Sequence, residues 1–159
     1  MTTIDAPITI RKAEPRDAET IADITDAAYT KYIPRIGRKP RPMTENYNHV
    51  VAEHPVWVIG LGGKPAGVLV LVPEPEAMLI YSVAVDPRYQ RRGLGRRLLN
   101  FADEQARAAG LARVRLYTNE HMVENIALYQ RLGYEETGRE PVGGTALVHM
   151  AKGLEEKQA

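Results

Sequence analysis

The sequence predicts a mixed α+β domain built on a twisted, mostly antiparallel sheet of about seven strands with one parallel pair, flanked by about four helices. Three observations predict it. Short β-rich runs alternate with amphipathic helical stretches, two early runs are joined by a glycine turn instead of a helix, and a strand, a long helix and a strand follow in order from Ala77 to Thr118. That last order calls for parallel neighbours joined by a right-handed crossover. The 159 residues read as a single domain, with a core over about 8–152 and a short polar C-terminal tail.

Ile8 to Arg11 is the first strand. Glu14-Pro15 opens a helix whose Ala18, Ile21, Ile24 and Ala28 share one face, and which is expected to end near Tyr32-Ile33-Pro34. A basic, proline-rich connector, Arg35 to Pro42, leads to Met43, Tyr47, Val50 and Val51 at helical spacing behind an expected cap at Thr44. Val56 to Leu61 and Ala66 to Val72 form a hairpin around Gly62-Gly63-Lys64-Pro65, and Ala77 to Val85 is a third, longer run. The helix from about Gly93 to Ala109 is expected to bury Leu94, Leu98, Ala102, Ala106 and Ala109 and is closed by Gly110. Val114 to Thr118 returns as the parallel partner of the Val83 strand. A helix from Glu124 to Leu132, closed by Gly133, and two strands, Tyr134 to Arg139 and Thr145 to Ala151, complete the sheet.

Composition removes several functions. Cysteine is absent, which excludes disulfides, thiolate metal sites and a cysteine nucleophile, and fits a reducing compartment. Met1 to Pro7 lacks the apolar stretch of a signal peptide and no apolar run has bilayer length, so a soluble, cytoplasmic protein without membrane contact is expected. A net charge of +1 argues against bulk nucleic-acid binding, and aromatic residues between Arg88 and Arg97 are limited to Tyr89. The arginines there count as a local cluster.

That cluster sits where chemistry is expected. Val83-Ala84-Val85-Asp86-Pro87 runs an apolar strand into Arg88 to Arg92 and then into Gly93-Leu94-Gly95-Arg96 at a helix start. Glycines let backbone approach a ligand, and the first amides of a helix have no intrahelical partner. The helix dipole adds roughly 0.3 to 2 kcal/mol for an anion, and Arg91, Arg92 and Arg96 supply positive charge. A pyrophosphate is the expected guest. The dinucleotide-fold fingerprint fails because Leu98 stands where its third glycine belongs, and no Lys-Ser or Lys-Thr pair completes a Walker-type loop. On its own, Gln90 to Gly95 could equally be a plain strand-to-helix connection.

Gln90-Arg91-Arg92-Gly93-Leu94-Gly95 resembles the Gln/Arg-x-x-Gly-x-Gly/Ala signature of the GNAT N-acetyltransferase superfamily, at the same place after a Val-Ala-Val-x-Pro strand end. Asn125-Ile126-Ala127-Leu128-Tyr129-Gln130-Arg131-Leu132-Gly133-Tyr134 resembles that family's second segment, with Ala127 one position early. Ile36 to Met43 is similar to an Ile-Gly-Arg-x-Pro-x-Pro-Met connector of a subset. The resemblance covers nearly the whole chain in element order and implies a GNAT-like fold and acetyl-CoA as cosubstrate, with no metal. It implies pyrophosphate on the backbone amides from Arg91 and Arg92 through Gly93, Leu94, Gly95 and Arg96, with Gln90 also among the cofactor-binding residues, and a pantetheine arm along Val83, Ala84 and Val85 between the parallel strands. A bulge near Val83 would part those strands, freeing the Val83 N–H to polarise the thioester carbonyl.

Within the resemblance Tyr129 is the general acid toward the departing thiolate. Full proton transfer from a phenol to a thiolate is about 2 kcal/mol uphill in water, which favours a hydrogen bond that strengthens along the reaction. Asn125 is turned toward a CoA contact and Asn119 is grouped with it; a helix cap and a strand end are their plain alternatives. Candidates for choosing the acceptor are Tyr32, Arg35, Arg38, Met43 and Tyr47 from the early helices, with Tyr81, Tyr117, Glu120, His121 and Met122 opposite. Glu120 and His121 are also the nearest candidates for a base, with a water chain as the alternative. The expected function is direct transfer of acetyl from acetyl-CoA to a small-molecule or peptide amine in a ternary complex. A CoA-binding or regulatory module without turnover is the alternative, and a homodimer is the default expectation for assembly.

Overall fold

The computed structural model describes residues 6–155; the expected leaderless start, Met1 to Asp5, and the last residues of the expected polar tail lie outside the described residues. The strands are β1 (Ile8–Lys12), β2 (Val56–Leu61), β3 (Lys64–Pro73), β4 (Met78–Val85), β5 (Arg113–Asn119), β6 (Glu135–Val142) and β7 (Thr145–Gly153). The helices are α1 (Ala18–Tyr29), a one-turn α2 (Ile33–Ile36), α3 (Tyr47–Glu53), α4 (Leu94–Ala108) and α5 (Val123–Arg131). One seven-stranded sheet runs β1-β2-β3-β4-β5-β7-β6, antiparallel throughout except between β4 and β5. No helix among the described residues is long and apolar enough to cross a membrane.

The central strand explains the layering. Val68 and Val70 of β3 face the cluster that holds Ile21 and Ile24 of α1, while Leu69 and Leu71 face Leu98, Leu99 and Ala102 of α4. Both faces are covered, so β3 is apolar at every inner position instead of alternating. Burying each such side chain is worth about 1.5–3 kcal/mol. Gly67 has a steric reason: a Cβ there would stand 2.8 Å from the Ala84 carbonyl oxygen and 2.8 Å from Ile59 Cγ2.

The early helices start later than their sequence pattern predicts. Pro15 to Asp17 form a 3-10 turn, and α1 begins only at Ala18. Asp17 holds that junction, accepting the Glu14 N–H at 2.7 Å and pairing with both Arg11 amino groups at 2.8 and 2.9 Å. The cap of α3 is Asn46, not Thr44: the Asn46 side-chain oxygen accepts the Asn48 N–H at 3.1 Å. Thr44 sits in a 3-10 turn and donates its hydroxyl back to the Arg41 carbonyl at 2.7 Å.

The feature that positions a site is the parting of β4 and β5. Their parallel pairing covers only Met78 with Val114 and Leu79 with Arg115. Just beyond, β4 carries an extra residue: Ile80 pairs with Leu71 and Ser82 with Val70, so Tyr81 is bulged. The bulge lies two residues before Val83, near the expected position. A bulge bends and twists its strand, so β4 leaves β5 while β5 stays fully paired to β7.

Candidate active site

Backbone groups line the opening. The Tyr29 hydroxyl donates to the Val83 carbonyl at 3.0 Å and the Gln90 side-chain amide donates to the Val85 carbonyl at 3.1 Å. In a strand a residue's N–H and C=O point to the same side, so the N–H groups of Val83 and Val85 also face the gap. Pairing from β5 stops at Leu79, short of both. Ala84 turns its backbone toward β3, in register with Val68.

At the end of β4, buried Asp86 donates its N–H to the Ala66 carbonyl at 2.8 Å and accepts from the Arg88 N–H at 3.0 Å, which fixes the turn. The chain then passes through Arg91 at φ 66° and Gly93 at φ 77°. A non-glycine residue in the left-handed region costs about 1–2 kcal/mol and marks a backbone shaped for something other than its own stability. Among the described residues the amides of Leu94, Gly95 and Arg96 make no backbone hydrogen bond; the first in α4 that does is Arg97, to the Gly93 carbonyl at 3.1 Å. A Cβ on Gly95 would meet only Val85 Cγ2, at 4.0 Å, so this face is open.

These amides open on a cleft of about 420 Å³ between β4, α4 and α5. Arg91, Arg96 and Arg131 line it, whereas exposed Arg92 does not. Asn125 and Leu128 form the α5 side, and Asn125 lies inside the helix, not at its cap. Glu124 is the acid in this lining, held by Arg35 at 2.7 Å and the Tyr32 hydroxyl at 3.1 Å. The Arg35 contact draws its carboxyl below the usual range. The donor set, with free amides and cations around an open glycine, suits a polyanion such as a diphosphate.

A second cavity of about 310 Å³ lies on the other side of the parting. Tyr29, Val83 and Tyr129 line both hollows. The acceptor-side candidates Tyr81, Tyr117, Met122 and Arg38 line this cavity. Others fall elsewhere. Tyr32 and Arg35 belong to the first cleft through Glu124. Tyr47 is buried, with its hydroxyl donated to the Pro42 carbonyl at 2.6 Å, and packs in the α1 layer with partly buried Met43. Neither Glu120, 3.9 Å from Arg139, nor exposed His121 lines either hollow. Asn119 lines the second cavity instead of the cleft; its amide donates to Thr145 Oγ1 at 3.0 Å and accepts the His121 N–H at 2.9 Å, so it shapes a strand end.

Tyr129 and Tyr29 meet at the junction with different surroundings. Burial raises the Tyr129 phenol well above its ordinary value, and its hydroxyl makes no hydrogen bond among the described residues. Burial pushes the Tyr29 phenol up to about 12, so it remains a donor to Val83. Sequence reasoning missed Tyr29 because its bond reaches 54 residues along the chain, and it missed Arg41, which lies 4.0 Å over the Tyr81 ring. No group of three metal-ligating side chains occurs among the described residues.

Residues 19–134 match the model of the acetyltransferase (GNAT) family. The chain belongs to this family. Over 74 residues it is 35% identical to a ribosomal protein bS18-alanine N-acetyltransferase of Escherichia coli, covering 46% of this chain and 50% of that protein. It is 37% identical over 82 residues to a mycothiol acetyltransferase of Beutenbergia cavernae, covering 50% of this chain and 28% of the relative. The chain thus spans about half or less of the curated relatives it matches. A GNAT fold is also found in the crystal structure of the Escherichia coli enzyme, with a TM-score of 0.77 at 24% identity over 96% of this chain and 97% of the other. The PaiA N-acetyltransferase of Thermoplasma acidophilum, solved in complex with coenzyme A, gives a TM-score of 0.79 at 17% identity over 92% and 99%. These two likenesses concern the fold.

Proposed function

We propose that this chain is an N-acetyltransferase that moves the acetyl group of acetyl-CoA to a primary amine by direct attack within a ternary complex. The observation that carries this reading is the junction: an anion-suited cleft and a second cavity meet at Tyr29, Val83 and Tyr129, where β4 and β5 part. A module that only retained CoA would need the first hollow alone.

Acetyl-CoA would supply an activated thioester carbon. The free amides of Leu94, Gly95 and Arg96, with the Arg91 and Arg96 side chains, bind and orient the diphosphate. Asn125 and Leu128 bound the path from there to the junction, and the Val83 and Val85 N–H groups offer strand-like pairing to an amide-bearing arm. The Val83 N–H then serves as a fixed donor toward the thioester oxygen, where stabilisation of developing charge needs no reorganisation. Tyr129, kept protonated by burial, faces the same point and hydrogen-bonds the departing sulfur as negative charge grows. The second cavity holds the amine. Its lining contains no carboxylate, so the amine proton is passed to water.

Isothermal titration with acetyl-CoA and with CoA tests the donor half: uptake near one per chain is expected, and none would refute the reading. Mass spectrometry after incubation with acetyl-CoA and a mixed amine library tests the transfer half. Acetylated product supports the enzyme, and binding without product supports the retained-CoA module.

A further inference from the structure

The acceptor cavity has a charge pattern that selects its guest. Three cations line it, Arg38, Lys39 and Arg41, and no Asp or Glu does. Arg41 is compensated from behind, since Glu45 accepts from it at 2.9 Å and also from the Tyr81 hydroxyl at 2.6 Å. Arg38 is not: its guanidinium donates to the neutral Gly143 and Val142 carbonyls at 2.8 and 2.9 Å. Exposed Lys39 has no hydrogen bond or ion pair among the described residues. Two positive charges therefore face a floor formed by apolar residues such as Ile80, Leu116, Met122 and Leu147.

A polycation would enter this cavity against repulsion, with no carboxylate to receive it. A carboxylate would gain charge-assisted hydrogen bonds. Neighbouring cations also favour the neutral, nucleophilic form of an amine, which eases the deprotonation for which no basic side chain is at hand. The Arg38 bonds add a steric term. They arch from the connector after α2 to the β6–β7 turn, and Arg38 itself lines the cavity, so a polypeptide crossing that edge would have to break them. A volume of about 310 Å³ suits a single small molecule.

We infer that the acceptor is a small amine carrying a carboxylate on an apolar body, a free amino acid with a hydrophobic side chain, held through Lys39 and Arg38. This rests on the transferase reading above.

The test compares leucine, methionine and phenylalanine with their primary amides and with spermidine, reading CoA thiol release; the chain has no cysteine, so the protein adds no thiol of its own. The amides carry the less basic amine, so intrinsic reactivity at neutral pH favours them, and a preference for the acids must come from the cavity. We expect kcat/KM for at least one acid to exceed that of its amide by about tenfold or more, with spermidine poorer still. Lys39→Gln should raise KM for the acid and leave that for the amide, narrowing the ratio to about threefold. Equal or better use of the amides or spermidine would overturn the inference. So would acetyl-CoA uptake with no transfer to any of these amines, while leaving donor binding intact. Absence of acetyl-CoA uptake would overturn the transferase reading and the acceptor class with it.

Discussion

The Tyr29 hydroxyl, at the last turn of α1, donates to the Val83 carbonyl across the parted edge of β4 at 3.0 Å. One hydrogen bond thus ties the α1 layer to the strand whose Val83 N–H is the proposed donor to the thioester. Tyr29→Phe removes it without removing the ring. The expected cost is about 0.5–1.5 kcal/mol of stability, with a fall in kcat because the Val83 peptide loses its restraint. Burial raises the phenol from 10.0 to about 12, so its contribution is complete below pH 10 and is lost as pH rises through about 12. Urea unfolding of both proteins at pH 8 and pH 11.5 checks this. The difference between them should shrink at the higher pH; an unchanged difference would show that the bond does not depend on the neutral phenol.

The sheet was legible because its signals are local. Alternating runs, the Gly62-Gly63 turn and the long amphipathic helix before Gly110 each announce an element within a dozen residues. The glycine turn with free amides at the start of α4 was legible for the same reason, since glycines and helix start are contiguous. What the sequence concealed depends on distant partners. Tyr32 shares the aromatic character of Tyr81 and Tyr117, yet Glu124, 92 residues away, draws it to the other hollow. Tyr47 has helical spacing with Val50, which already points to core, and the Pro42 carbonyl completes its burial. The Arg38 arch joins residues 105 apart and has no local mark.

Gly95 separates stability from binding. Alanine is favoured over glycine within a helix by about 0.5–1 kcal/mol, and a Cβ at this position meets no atom closer than 4.0 Å. Gly95→Ala is therefore expected to hold or raise Tm. The family signature admits alanine at this position, so Gly95→Ala should change acetyl-CoA affinity by less than about threefold, whereas Gly95→Leu, whose branched chain would cover the face over the proposed anion-binding amides, should weaken it by about tenfold or more. Thermal melts and titration calorimetry on the same samples read both. Undiminished affinity in the leucine variant would show that the diphosphate does not approach this backbone.

Asp17 governs behaviour in acid. Hydrogen bonds from the Arg11 guanidinium, with a further bond from the Glu14 N–H, hold its carboxyl at about 2, well below the ordinary 3.8. A depressed carboxyl stabilises the fold fully above pH 3.8, and this is lost as pH falls through about 2. Arg11 is 45% exposed, and allowing for solvent screening the contribution is about 1 kcal/mol. Asp17→Asn should cost that much at pH 7 and little at pH 2. An equal cost at both values would assign Asp17 a purely steric role.

Tyr129 carries the sharpest kinetic expectation. Its ring closes both hollows, so Tyr129→Phe leaves their shape and should change KM for acetyl-CoA by less than about twofold. If the hydroxyl assists thiolate departure, kcat falls by about 10²-fold, the lower range for a positioned general acid. Burial raises this phenol well above 10.0, so it stays protonated through an ordinary assay range. The wild-type kcat profile should accordingly show no decline between about pH 8 and pH 10 from loss of this proton. A kinetic isotope comparison in heavy water adds a readout that packing alone would not move: the solvent effect on kcat should differ between the native enzyme and the phenylalanine variant, in which water is the sulfur's only proton source. Retained kcat in the variant would take Tyr129 out of the chemistry and leave the departing sulfur to be protonated by solvent.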